Sequence, residues 1–289
     1  MQDLIDLHTH STASDGSESP SAIIRRAKAK GLRGVALTDH DTISGLREFL
    51  AAGKEGNIDA VPGVELSTFL YSKELHIVGL FVNPETPELL DLLERMRRGR
   101  ETRNREMILK LSAAGFAVSY EELLQEAGGE SIGRPHIAAL LLRKGYFKTI
   151  QDAFEQYLKR GCRCYVPRLL PEPAEAIRTI HAAGGLAIWA HPVSGQTGER
   201  AFARKMLRKL IPAGLDGVEV RYSMFSEYQT TMMNELAEAE GILKSGGSDF
   251  HGTNQPNIDL GCGCGNLAVP FEYLEKMREA LAAGKGTAQ

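Results

Sequence analysis

The chain has 289 residues, 43% of them hydrophobic and 25% charged, with a net charge of −3. That length suits one large domain, or one domain carrying an insertion. The charge excludes a general nucleic-acid coat, and no apolar run reaches the length of a membrane span. Met1-Gln2-Asp3-Leu4 lacks the basic start and apolar stretch of a signal peptide, so the protein reads as cytoplasmic.

Strand and helix alternate through the first 80 residues. Leu4 to His8 reads as a short buried strand. Ser19-Pro20 opens a helix with serine as N-cap and proline in the first turn, Ile23, Ile24 and Ala27 form its apolar face, and Gly31 closes it. A strand from Val35 to Thr38, a helix from Ser44 to Ala52 and a strand from Ile58 to Leu66 follow. Repeated units of this kind imply parallel strands with helices outside. His76 begins its strand rather than ending it, which a hairpin resolves. If Glu65 to Leu70 pairs with Leu75 to Val82 through a turn near Tyr71-Ser72-Lys73-Glu74, then Glu65 and His76 face each other.

Helical periodicity takes over between residues 87 and 171, through Leu89, Leu93, Met96, Met107, Leu111, Ile137 and Leu141. This stretch reads as an inserted helical cap, with residues 1–86 and 172–289 forming the main body. Alternation resumes with a helix at Pro173 to Ala183 and strands at Leu186 to Ala190, Gly217 to Val220 and Leu243 to Ser245. A helix around Glu227 to Glu240 precedes the last of these, and one at Phe271 to Ala283 closes the chain. Six or seven strands make this an α/β barrel slightly short of eight.

The four cysteines form two Cys-x-Cys pairs, Cys162/Cys164 and Cys262/Cys264. Structural zinc sites space their cysteines more widely, so reduced thiols are expected.

Six of the eight histidines lie in short runs at the ends of apolar, strand-like stretches. The runs are Asp6-Leu7-His8-Thr9-His10, Thr38-Asp39-His40-Asp41, His76, Ala190-His191-Pro192 and Ser248-Asp249-Phe250-His251. Asp15 and Gly63-Val64-Glu65 add carboxylates, with Glu65 placed to bridge two ions. Nine donors exceed what one closed zinc needs and suit two or three divalent ions with open positions for water and substrate. Mixed imidazole and carboxylate without thiolate fits manganese first, with iron and zinc also suitable. Gly246 and Gly247 would let the backbone approach such ions. No Ser or Cys nucleophile motif and no phosphate-cradling Gly-x-x-x-x-Gly-Lys loop appears, which leaves hydrolysis by activated water.

As a set, and in this order from Leu4 to His251, these runs resemble the motifs of the PHP (polymerase and histidinol phosphatase) family. The resemblance implies a distorted (β/α)7 barrel with an inserted helical subdomain and a trinuclear metal site at its C-terminal strand ends. It assigns His8, His10, Glu65 and Asp249 to a first ion, Glu65, His76 and His191 to a second, and Asp15, His40 and His251 to a third. Asp15, His40, Glu65 and Asp249 would carry catalysis, with Asp6 and Asp39 supporting the ligands from behind.

Ile132-Gly133-Arg134-Pro135-His136 is similar to the segment with which nucleotide-acting members grip phosphate, so Arg134 and then His136 are the expected substrate contacts. Arg134 could instead cap or pair at a helix N-terminus beside Pro135. Six arginines between Arg95 and Arg105 could steer an anion or simply pair with Glu94, Glu101 and Glu106. The expected substrate is a nucleotide or short oligonucleotide: a nucleoside 3′,5′-bisphosphate first, a 5′-monophosphate next, with 5′ to 3′ trimming of short RNA alongside. Histidinol phosphate is the alternative ester, and a metal-stabilised binding module is the alternative class. Nothing in the sequence calls for a membrane or an obligate protein partner.

Overall fold

The structure, a computed structural model, describes residues 3–71, 73–127, 131–194 and 199–284; Met1, Gln2 and the turn residue Ser72 lie outside the described residues. Eight strands among these residues form one sheet in the order β7-β6-β5-β4-β3-β2-β1-β8. They are β1 (Leu4–Asp6), β2 (Gly34–Leu37), β3 (Asp59–Leu70), β4 (Lys73–Leu80), β5 (Leu186–Trp189), β6 (Gly217–Tyr222), β7 (Leu243–Gly247) and β8 (Val269–Pro270). Seven of them curl into a barrel. β7 returns to the β1 side, where Leu7 N–H donates to the Gly246 carbonyl at 3.1 Å and Asp249 N–H donates to the His8 carbonyl at 2.9 Å. The short β8 pairs antiparallel with β1 at its opening residues.

β4 runs antiparallel to both β3 and β5, while β1–β2–β3 and β5–β6–β7 are parallel. This reversal is the distortion of the barrel, and it explains His76. A strand that runs backwards starts at the end of the barrel where its neighbours finish. The hairpin differs from expectation in register: Glu65 lies opposite Val78, and His76 opposite Ser67. An offset of two residues keeps Glu65 and His76 on one face as diagonal neighbours.

Helices α1 (Pro20–Ala29), α2 (Leu46–Gly56), α7 (Pro173–Ala182), α8 (Glu199–Leu210), α9 (Glu227–Glu240) and α10 (Glu272–Ala282) pack around the barrel. Ser19 caps α1 by accepting from Ala22 N–H at 3.2 Å, as its Ser-Pro start implies. α2 begins and ends later than its periodicity suggested, because Asn57 in the left-handed region supplies its stop.

Between them come α3 (Pro87–Ala113), α4 (Tyr120–Ala127), α5 (Arg134–Arg143) and α6 (Ile150–Ala153). The first half of α3, with Leu89, Leu92 and Met96, packs into the barrel core. Its second half, with Met107, Ile108 and Leu111, joins a separate apolar cluster that includes Ile137, Leu141 and Leu158. At 1.5 Å per residue this helix is about 40 Å long, enough to tie the two cores together.

Gly247 permits the barrel to close. A Cβ at this position would lie 2.3 Å from His8 Cβ and 2.4 Å from His8 N, so β7 can lie against β1 only without a side chain there. The close approach is thus to the β1 backbone. Gly247→Ala is expected to destabilise the fold by about 1–3 kcal/mol or more, read as a lower melting temperature. An unchanged melting temperature would contradict this packing.

Candidate metal centre

The expected ligands converge at one end of the barrel: most follow a strand there, while Glu65 lies within the long β3 and His76 in the first half of the reversed β4. β1 ends at Asp6, shorter than its apolar run suggested, and the chain continues extended through His8 and His10. Their Nε2 atoms meet at 3.1 Å. Glu65 is fully buried at the centre. Its Oε1 lies 2.8 Å from His76 Nδ1 and 2.9 Å from His191 Nε2. Its Oε2 lies 2.8 Å from His40 Nδ1, 3.3 Å from His10 Nε2 and 3.4 Å from His8 Nε2. Asp249 Oδ1 is 3.0 Å from His10 Nε2, and Asp15 Oδ1 is 3.2 Å from His251 Nε2.

Three groups of donors result: His8, His10 and Asp249; His40, Glu65 and His76; and His10, Asp15, His40 and His251. His10 thus reaches the Asp15 group as well as the Asp249 group. Eight of the nine expected ligands fall in these groups; the ninth, His191, belongs to none of them and reaches Glu65 Oε1 at 2.9 Å. No cysteine belongs to these groups, and the described cysteines are free.

The donor set fits divalent cations. Ligands held about 2.0–2.2 Å from one ion sit about 3.3 Å from each other, close to the separations here. His10 Nδ1, Asp15 Oδ1 and Glu65 Oε2 are buried without a well-formed hydrogen bond, although buried polar atoms nearly always have one. The electrostatics agree. Burial raises the Glu65 carboxyl, but the imidazoles of His40, His76 and His8 more than reverse this and hold it well below the usual range. Burial lowers His10, yet its bonds to Asp249 and Glu65 push it up to about 10. A field that holds a proton on a buried imidazole also favours a cation in its place.

Two of the expected ligands sit on strained backbone: Asp249 has φ 57° and His191 φ 31°. Several buried groups hold the ligands in place. Asp6 accepts from Ser248 N–H and Gly261 N–H, both at 2.8 Å, and so ties β1 to the turn that carries Asp249. Asp39 accepts from Ser11 N–H and Ser11 Oγ, both at 2.7 Å, and so holds the loop that leads to Asp15. His251 Nδ1 donates to the Asp249 carbonyl at 2.8 Å, which leaves its Nε2 free to ligate.

Glu219 is the support that sequence reasoning missed. It is buried on β6, its Oε1 lies 2.8 Å from His8 Nδ1, and its Oε2 accepts from His191 N–H at 2.6 Å. A register shift between Glu219 and Arg221 lets both Glu219 and Tyr222 face the site, and Tyr222 OH donates to Asp249 Oδ2 at 3.0 Å. The signal was present in Gly217-Val218-Glu219-Val220, an acid inside an otherwise apolar strand. Trp189 and Phe250, by contrast, are core.

A cavity of about 400 Å³ adjoins the expected ligands Asp15, His40, His76 and His191. Its far wall carries Arg100 and Arg103 from α3, Arg134 at the start of α5, and Arg168. Asp41, in left-handed conformation beside His40, binds two of these. It accepts from Arg100 Nε at 2.9 Å, Arg168 Nη1 at 2.8 Å and Ser67 N–H at 2.8 Å. Arg103 is 5% exposed, and among the described residues its Nε and Nη2 have no hydrogen-bond partner. The other four arginines of the run face outward. Arg95 pairs with Asp91 and Glu175, Arg97 and Arg98 with Glu94, and Arg105 with Glu101. Arg134 lines the cavity, whereas His136 lies behind it, its Nδ1 accepting from Gly133 N–H at 3.0 Å at the start of α5.

The PHP domain profile matches residues 6–161, more than half of the chain. The protein belongs to the PHP domain family. It is accordingly a metal-dependent phosphoesterase with the PHP barrel. A 5′-3′ exoribonuclease of Haemophilus influenzae is 39% identical over 247 residues, covering 85% of this chain and 89% of that protein. A 3′,5′-nucleoside bisphosphate phosphatase of Chromobacterium violaceum is 35% identical over 258 residues, covering 89% and 90%. Among solved structures, a candidate metal-dependent phosphoesterase from Bifidobacterium adolescentis superposes with a TM-score of 0.86 at 29% identity, covering 95% of each chain. No helix among the described residues of this PHP protein is long and apolar enough to cross a membrane.

Because Glu219 fixes the ring of His8, Glu219→Gln is expected to weaken metal binding about 10–100-fold, measured by competition with a chelating dye. Unchanged metal affinity would show that Glu219 only packs.

Proposed function

We propose that this phosphoesterase removes one phosphate from a nucleotide that carries two, a nucleoside 3′,5′-bisphosphate. Arg103 carries the reading: its buried Nε and Nη2 have no hydrogen-bond partner among the described residues. A buried cation without an anion is costly, and this one lines the cavity that also holds metal-site histidines. Among the described residues, four guanidiniums, Arg100, Arg103, Arg134 and Arg168, stand beside two carboxylates, Asp41 and Glu74, which pair with all but Arg103. The surplus of two positive charges matches one dianionic phosphate, held away from the phosphate that reacts.

In this reading His8, His10, Glu65 and Asp249 hold one ion, Glu65, His76 and His191 another, and Asp15, His40 and His251 a third, with manganese the first choice over iron and zinc. The ions, when bound, activate water and offset charge on the phosphoryl oxygens. Residues 87–171 serve as the cap that brings Arg100, Arg103, Arg134 and Arg168 over the site. His136 contributes by fixing the start of α5 beneath Arg134. We assign the enzyme to the cytoplasm with its nucleotide substrate.

A second reading, 5′ to 3′ trimming of short RNA, draws on a recess of about 290 Å³ beyond Arg100 and Ser131, between Ile43 and Leu93, that would take a further nucleotide.

Phosphate release by manganese-loaded protein tests the proposal, with adenosine 3′,5′-bisphosphate, adenosine 5′-monophosphate and histidinol phosphate at equal concentration. The bisphosphate is expected to be preferred. Arg103→Gln should raise its KM about 10–100-fold with a smaller change in kcat. Asp249→Asn should lower release at least about a hundredfold. Preference for histidinol phosphate, or an unchanged KM in Arg103→Gln, would overturn the reading.

A further inference from the structure

One charged group in the cavity opposes the anion that the rest of it is built to take. Glu74 lies two residues before His76 on β4, just past the hairpin tip. Its Oε1 lies 3.3 Å from Arg168 Nη2 and its Oε2 3.9 Å from Arg134 Nη2. It also approaches His76 Nε2 at 3.7 Å. The two carboxylates among the arginines differ in kind. The Asp41 side chain is 1% exposed and is fixed by the Ser67 backbone as well as by two guanidiniums. That of Glu74 is 37% exposed, no backbone N–H among the described residues donates to it, and its contact with Arg134 is longer than a hydrogen bond. Asp41 is therefore part of the frame. Glu74 is a loosely held occupant of the place where a phosphate would meet Arg134 and Arg168.

We propose that Glu74 is a specificity-determining residue, a built-in carboxylate that occupies Arg134 and Arg168 and yields them to the phosphate that is not hydrolysed. Competition between the two anions sets the affinity of that end of the cavity. A dianionic phosphate with bidentate geometry displaces a singly charged, half-exposed carboxylate, whereas a weaker anion does not. The same competition loosens the product, whose remaining phosphate occupies this end after the reaction. The inference rests on the proposal that the arginine end takes the second phosphate.

The test is calorimetric titration of metal-loaded protein with adenosine 5′-monophosphate and with adenosine 3′-monophosphate. Adenosine serves as the uncharged reference. In Glu74→Gln the tighter-binding monophosphate is expected to gain about tenfold in affinity, with adenosine and the metal content unchanged. Glu74→Asp keeps the charge near His76 but withdraws it from Arg134, and it should shift affinity in the same direction by about threefold. Unchanged or weaker monophosphate binding at constant metal content would overturn the role of Glu74, as would an equal gain for adenosine. If the unsubstituted protein binds neither monophosphate better than adenosine, the second-phosphate subsite itself fails, and this role with it.

Discussion

A carboxylate with no solvent contact is costly unless positive charge surrounds it, and in this protein that carboxylate is Glu65. Nitrogens from His8, His10, His40, His76 and His191 stand within 3.4 Å of its two oxygens. Four strands, β1, β2, β4 and β5, are thereby drawn to Glu65 on β3, and the residues behind them can be understood as holding that convergence. Asp6 ties β1 to the β7 turn, Asp39 holds the Asp15 loop, and Glu219 fixes His8 and the His191 backbone. Removal of the Glu65 charge would leave those imidazoles facing one another without an anion between them.

The barrel geometry follows from that convergence. A purely parallel barrel gathers residues that end strands, yet His76 begins one. Reversal of β4 brings its first residues to the ligand end and puts Glu74 at the rim, beside the arginines of the insertion. The hairpin thus serves both halves of the cavity. His76 turns toward Glu65, and Glu74 turns toward Arg134 and Arg168. Asp41 joins the halves in a different way, since its backbone follows His40 while its carboxylate holds Arg100 and Arg168.

Much of this was readable from residue order. Histidines at the ends of apolar runs located the centre, and the Ser-Pro start of α1 and the hairpin around Tyr71 were visible in local chemistry. What could not be read was set by contacts distant in sequence. The hairpin register was off by two residues because periodicity identifies the shared face and not the opposing partner. α8 was not singled out, and β8 is only two residues long, too short for any pattern. The run Arg95 to Arg105 looked uniform, but helix rotation divides it. Arg100 and Arg103 turn inward, while Arg95, Arg97, Arg98 and Arg105 pair on the surface. Glu219 stood out as an acid inside an apolar strand, but the bulge that lets Tyr222 share its face could not be foreseen from composition.

A carboxylate-centred group of metal donors thus adjoins an arginine-lined cavity. The central claim is that Glu65 is shared between ions and does not serve one alone. The most direct measurement is metal content by elemental analysis after exhaustive dialysis, for the unsubstituted protein and for Glu65→Gln. The account predicts about two to three equivalents per chain in the former and a loss of more than one equivalent in the latter, with the circular dichroism of the fold retained. A loss of one equivalent or less would contradict a shared carboxylate at the centre of the site.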